Sequence, residues 1–283
     1  MEFVKVHGLG NDFIVLDLIN RPMNKQSWGK LAVDMCNRYF GIGADGLVLL
    51  DKSLIADIKM RIFNSDGTEP EMCGNAIRCV AAYAYQQKIV VNKKLTIETK
   101  AGIIKPEIID ADINRALVRV DMGEPILTPQ DIPVTLPDEI KVVDYPIDVS
   151  GQQVRITCVS MGNPHCVIFV PEINDHLVNS MGPLVEKHQI FPNKTNVEFV
   201  RVLDGITLEM RVWERGAGST LACGTGACAS LVAARMQGLV EASATVKLAG
   251  GDLFIEWGTD NHVYMTGPAV RVFSGIYERE NDN

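Results

Sequence analysis

The sequence predicts an α/β chain of the α+β type: two pseudo-symmetric domains, each a mostly antiparallel sheet wrapped around a central buried helix. Three observations predict it. Short runs of β-branched and aromatic residues ending at Gly, Asn or Asp outnumber helical stretches. Two helices, opened by Cys73-Gly74-Asn75-Ala76 and Cys223-Gly224-Thr225-Gly226, are apolar almost all round, which marks a buried helix. The two openings lie 150 residues apart, and other pairs echo that offset. Arg61-Ile62-Phe63-Asn64 matches Arg211-Val212-Trp213-Glu214, again 150 residues on, and Gly10-Asn11 matches Gly162-Asn163 at 152.

In chain order, strands are expected at Phe3–His7, Phe13–Leu18, Gly46–Leu50, Lys59–Phe63, Leu95–Thr99, Ile103–Ile109 and Ala116–Met122. Ser27 can cap a helix that carries Leu31, Ala32 and Met35 on one face, with Cys36 beside them, and stops near Gly41. The helix after Cys73 runs through Ala84 and Tyr85. Pro125, Pro129, Pro133, Pro137 and Pro146 then forbid helix and central strand, so this stretch reads as edge or connection. The domain boundary is placed at its start: residues 1–121, completed by 269–283, and residues 122–268. Strands resume at Val154–Ser160, His165–Val170, Asn196–Arg201, Thr207–Trp213, Thr245–Leu248, Leu253–Trp257, Val263–Thr266 and Val270–Phe273. The helix after Cys223 ends near Gly238.

Composition narrows the class. A chain of 283 residues, 47% apolar and 22% charged, reads as an ordinary water-soluble globular protein of one large or two medium domains. Its formal net charge of −8 is spread without a basic block, which argues against nucleic acid and anionic membrane as partners. No apolar run reaches the ~18 residues of a membrane span. The start, Met1-Glu2-Phe3-Val4-Lys5, lacks a signal-peptide pattern, so a cytoplasmic location is expected. The seven cysteines, 36, 73, 79, 158, 166, 223 and 228, form no Cys-x-x-Cys pair, so neither a zinc site nor a disulfide scaffold is expected. Five read as small buried hydrophobes. Cys73 and Cys223 differ because they open helices, beside Gly, in polar loops.

A helix start offers unpaired N–H groups and partial positive charge. A thiol there is expected to have a lowered pKa, and the same N–H groups can hold a carboxylate. Two such devices suit removal of a proton from one face of a carbon and return of another to the opposite face. Carboxylate binding would also stabilise the charge that grows as the proton leaves. Asn11, Asn64, Asn75, Asn163 and Asn196 are turn residues on the bland reading and amides aimed at a polar ligand on the sharp one. Glu214-Arg215 reads either as a solvated strand end or as a zwitterion clamp. His165, after Asn163-Pro164, reads as a structural histidine or as a group that tunes a thiol.

These segments closely resemble the diaminopimelate epimerases over essentially the whole chain. In the first half the resemblance is carried by His7-Gly8-Leu9-Gly10-Asn11-Asp12-Phe13, Gly43-Ala44-Asp45-Gly46, Phe63-Asn64-Ser65-Asp66-Gly67 and Met72-Cys73-Gly74-Asn75-Ala76. In the second it is carried by Ser160-Met161-Gly162-Asn163-Pro164-His165, Thr195-Asn196, Glu214-Arg215-Gly216-Ala217-Gly218 and Ala222-Cys223-Gly224-Thr225-Gly226-Ala227. The resemblance implies a pyridoxal-independent isomerase with no cofactor and no metal, acting on diaminopimelate in lysine and peptidoglycan-precursor synthesis, as a homodimer. It implies Cys73 and Cys223 as the acid/base thiols. Gly74, Asn75, Gly224 and Thr225 would hold the reacting carboxylate. Asn64, Asn163, Asn196 and Arg215 would hold the distal carboxylate and Glu214 the distal ammonium, with Asn11 among the substrate contacts. His165 and Glu214 would adjust the thiols. Some members carry Gln where this chain has Gly46, so that contact is absent here. The competing readings are a proline or hydroxyproline racemase-like two-thiol enzyme and a non-catalytic redox or metal-binding thiol protein.

Overall fold

The computed structural model describes residues 1–23, 27–136 and 141–278. Pro137 and residues 279–283 therefore lie outside the described residues. The chain divides into two compact units. One is Met1–Val120 with the segment from Gly267 onward, and the other is Asp121–Thr266.

In the first unit, β1 (Glu2–Gly8) and β2 (Asn11–Asp17) form an antiparallel pair. Helix α1 (Trp28–Cys36) leads to β3 (Gly46–Asp51), which runs parallel to β2. Strand β4 (Ile58–Asn64) returns antiparallel to β3. Helix α2 (Gly74–Gln86) then crosses to β5 (Ile97–Thr99), parallel to β4. Two antiparallel pairings follow, of β6 (Gly102–Ile104) with β5 and of β7 (Glu107–Ala111) with β8 (Arg115–Asp121).

The second unit opens with β9 (Tyr145–Val149), paired to β10 (Gln152–Ser160). From there it repeats the pairings of the first. Strands β10 and β11 (Pro164–Phe169) are antiparallel. Helix α3 (Asp175–Glu186) leads to β12 (Asn196–Asp204), parallel to β11. Strand β13 (Thr207–Glu214) is antiparallel to β12, and the short β14 (Gly218–Thr220) folds back on it. Helix α4 (Gly224–Met236) crosses to β15 (Ser243–Leu248), parallel to β13. Strand β16 (Gly251–Trp257) then pairs with β17 (Val263–Ile276), whose later residues pair with β1 in the first unit's sheet.

Both central helices are buried, as their apolar composition requires. Residues 75–84 of α2 are all buried, and α4 packs on β10, β11, β12, β13, β15 and β16. A second helix covers the other face of each sheet. Leu31, Ala32, Met35 and Cys36 of α1 pack with Ile14, Leu16, Leu47 and Leu49. Val178 and Val185 of α3 pack with Val197 and Phe199. A strand covered on both faces reads as a continuous apolar run, which is why Gly46-Leu47-Val48-Leu49-Leu50 does not alternate. Each fully buried Leu or Ile in these layers contributes about 1.5–3 kcal/mol.

Several local expectations are corrected. Ser27 stands at the N-cap of α1, but its side chain makes no capping bond, and the helix ends at Cys36 rather than near Gly41. Helix α3 is an element beyond those expected, and it carries Pro183 inside it. The expected strand at Ile103–Ile109 is two strands, divided at Lys105-Pro106. The two expected segments at Val263–Thr266 and Val270–Phe273 are one strand. Pro268 lies between the residues paired to β16 and those paired to β1, where neither register uses its missing N–H. Pro146 sits inside β9, opposite Arg155.

Candidate active site

Each half builds its site on the first turn of its central helix. Cys73 is the N-cap of α2 and Cys223 the N-cap of α4, both with extended backbone. The first intrahelical bonds are Ile77 N–H to Cys73 O at 2.9 Å and Ala227 N–H to Cys223 O at 3.0 Å. The amides of Gly74, Asn75, Gly224 and Thr225 therefore have no intrahelical acceptor and point out of the helix end. This is a ready anion cradle at both cysteines.

In the first unit, Asn11 and Asn75 meet at the thiol. Asn75 Nδ2 donates to Asn11 Oδ1 at 3.0 Å, and the Cys73 thiol lies 3.9 Å from the same oxygen. The Asn11 amide is oriented from behind, since its Nδ2 donates to Asp45 Oδ2 at 2.8 Å. Asp45 in turn shares Arg38 with Asp12, each at 2.8 Å, and Lys5 lies 2.7 Å from Asp12. Burial pushes the Asp12 carboxyl up, but the hydrogen bonds from Arg38 and Lys5 outweigh it and hold it at about 2. On the helix side the fully buried Arg78 donates from Nη2 to Asn75 Oδ1 at 2.9 Å. A Cβ on Gly8 would stand 2.9 Å from that Nη2, so this position has no room for a side chain. Asn64, at the end of β4, instead donates to Thr68 Oγ1 at 3.0 Å.

The second unit surrounds its thiol with carboxylates. Cys223 Sγ accepts from Gly226 N–H at 3.4 Å and lies 3.5 Å from Thr225 Oγ1. Burial raises the Cys223 thiol well above its ordinary value, and the charges of Glu214 and Glu198 push the same way. The expectation of a lowered pKa is therefore not met at Cys223; desolvation and two acids outweigh the helix end. Glu214 accepts from Thr220 Oγ1, and burial pushes its carboxyl above the ordinary range. His165 is fully buried, with Nδ1 at 2.7 Å from Glu198 Oε1 and Nε2 at 3.0 Å from Asn163 Oδ1. Asn196 accepts from Arg215 N–H at 2.9 Å and donates to Pro164 O at 2.9 Å, so its amide fixes both neighbours. The Arg215 side chain is exposed and reaches Asn193 O at 3.2 Å. The side chains of Glu214 and Arg215 thus run to different partners.

The structure brings Asn11, Cys73 and Asn75 together in one unit, and Asn163, His165, Glu214, Cys223 and Thr225 around one acidic cluster in the other. Sequence reasoning missed Asp45, Arg78 and Glu198. The signals were a lone cation in the apolar run Ala76–Ala84 and a lone acid within Val197–Val200. Among the described residues, no group of three or more His, Cys, Asp or Glu side chains could hold a metal ion. Nor, among them, is any helix long and apolar enough to cross a membrane.

The sequence profile of the diaminopimelate epimerase family matches residues 3–128 and 157–272. The chain is 53% identical to the diaminopimelate epimerase of Pelotomaculum thermopropionicum over 277 residues, covering 98% of this chain and 99% of the relative. It is 52% identical to that of Methanococcus maripaludis over 276 residues, covering 97% and 99%. Its fold is similar to the crystal structure of a probable proline racemase from Agrobacterium radiobacter, with a TM-score of 0.69 at 16% identity, covering 100% of this chain and 94% of that one. The two-domain racemase and epimerase fold is thereby shown, and the chain belongs to the diaminopimelate epimerase family.

Proposed function

We propose that this protein interconverts LL- and meso-diaminopimelate without pyridoxal phosphate, using Cys73 and Cys223 as a pair of acid/base thiols. The observation that carries the reading is the repeated device itself: a cysteine N-cap on each of two equivalent buried helices. A thiolate takes the α-proton as the C–H bond breaks, and the electron pair moves toward the α-carboxylate. The opposite thiol gives its proton to the other face of the carbon. One proton leaves carbon and one arrives, so the centre inverts and the two sulfurs exchange protonation states.

The helix-end amides of Gly74, Asn75, Gly224 and Thr225 stabilise the growing carboxylate charge. The raised Cys223 thiol suits that group to donate its proton. Asn64, Asn163, Asn196 and Arg215 serve the distal carboxylate, Glu214 serves the distal ammonium, and Asn11 joins the substrate contacts. His165 and Glu214 adjust the thiols. The protein acts as a cytoplasmic homodimer in lysine and peptidoglycan-precursor synthesis.

The test is a substrate comparison without added cofactor. Conversion of LL-diaminopimelate to the meso form, with no racemisation of L-proline, is the expected result. Turnover of proline with inert diaminopimelate would overturn the reading.

A further inference from the structure

The second unit holds a buried acid–base pair where the first unit carries apolar residues. In register, β11 pairs with β12 through His165↔Asn196 and Val167↔Glu198, while β2 pairs with β3 through Phe13↔Gly46 and Val15↔Val48. His165 and Glu198 therefore occupy the places of Phe13 and Val48. The same supersecondary unit forms with apolar residues there, so the fold does not demand the pair. Both side chains are fully buried, and burying charge is costly unless it is paired.

The partners determine where the hydrogens lie. A carboxylate only accepts, so His165 Nδ1 donates to Glu198 Oε1 at 2.7 Å. The amide oxygen of Asn163 also only accepts, so His165 Nε2 donates to it at 3.0 Å. With hydrogen on both nitrogens the ring satisfies both acceptors, beside a carboxylate whose Oε2 has no hydrogen-bond partner among the described residues. Asn163 is half-buried, and with its oxygen held by the ring its NH2 group is the donor end of the side chain. Glu198 also faces the helix end. A Cβ on Gly226 would lie 2.8 Å from its Oε1. The other titratable groups acting on this pair and its surroundings are Glu214, Cys223 and Cys166.

We propose that Glu198 is a positioning residue: through a doubly protonated His165, it fixes the Asn163 side chain as a hydrogen-bond donor to a carboxylate of the substrate. This inference rests on the reading of Asn163 as a carboxylate binder given above. Glu198→Gln keeps an acceptor facing Nδ1 but removes the charge. The ring then keeps one proton, on Nδ1, and Asn163 turns over to donate to the bare Nε2. Its oxygen now faces the substrate carboxylate, exchanging an attraction for a repulsion.

The test is nitrogen-15 NMR of histidine-labelled protein at neutral pH, with His165→Gln used to assign the signals. Both His165 ring nitrogens are expected in the protonated range in the wild type, and one in the unprotonated range in Glu198→Gln. In parallel, KM for LL-diaminopimelate is expected to rise about tenfold in Glu198→Gln, equivalent to about 1.4 kcal/mol. An unprotonated ring nitrogen in the wild type, or an unchanged KM in the variant, overturns the proposal. If Glu198→Gln does not fold, the wild-type spectrum still decides. If the wild type leaves diaminopimelate unchanged, the functional reading fails while the spectrum still tests the pair.

Discussion

Asp12→Asn is the sharpest probe of how the first unit holds its site. The carboxylate joins Lys5 at 2.7 Å and Arg38 at 2.8 Å, and its Oδ1 accepts from Asp45 N–H at 3.0 Å. Burial opposes its charge, yet these partners hold it at about 2 against an ordinary 3.8. That difference corresponds to about 2.5 kcal/mol. Asp12 keeps some contact with water, and screening reduces the figure to about 1–2 kcal/mol. The substitution also leaves Lys5, 7% exposed, without its carboxylate, which adds to the loss. The expected cost at pH 7 is therefore about 2 kcal/mol, read by equilibrium urea unfolding. The sign with pH follows from a depressed folded-state value. The contribution is complete above the unfolded carboxyl's ordinary pKa near 4 and is lost as pH falls through about 2. The gap between wild type and variant must then narrow over that interval. Equal stabilities at pH 7, or a gap that persists unchanged down to pH 2, would refute the reasoning.

Other consequences follow from the second unit. Glu214→Gln removes a charge that helps raise the Cys223 thiol, so alkylation of Cys223 by iodoacetamide at pH 8 should quicken several-fold; an unchanged or slower rate would contradict the assignment. Gly182→Ala places a Cβ 2.7 Å from Trp213 Cβ and Cγ, where α3 meets β13. It should cost about 1–3 kcal/mol of stability, and a neutral result in thermal unfolding would show that the contact yields. Gly226→Ala pushes on Glu198 Oε1 and crowds Cys223 Sγ at 3.3 Å. Epimerase activity should drop at least tenfold while circular dichroism stays native; full activity would show that the acid can move without consequence.

Much of this was legible in the sequence because the repeat is chemical as well as structural. Cys73 and Cys223 open equivalent helices, and the flanking apolar runs announce burial on all sides. Strand bounds slipped where proline misleads. Helix α3 was missed although Leu177, Val178, Met181, Leu184 and Val185 keep helical spacing across Pro183. Pro146 concealed β9, and Pro268 divided a strand that is continuous. The site was legible in its members but not in its wiring. Asn196 and Arg215 were read as ligand groups, and the structure shows Asn196 bonded to the Arg215 backbone. The raised Cys223 thiol could not be read from a helix-start rule, because Glu198 sits 25 residues away in sequence and reaches the thiol only through the β12–β13 sheet and α4.

The most direct measurement is incubation of LL-diaminopimelate in deuterated water with wild type, Cys73→Ala and Cys223→Ala, followed by mass and stereochemical analysis of the α-carbons. The account predicts meso product carrying one α-deuterium from the wild type and loss of that conversion in both variants. Conversion that persists in either variant would contradict a mechanism built on two thiols.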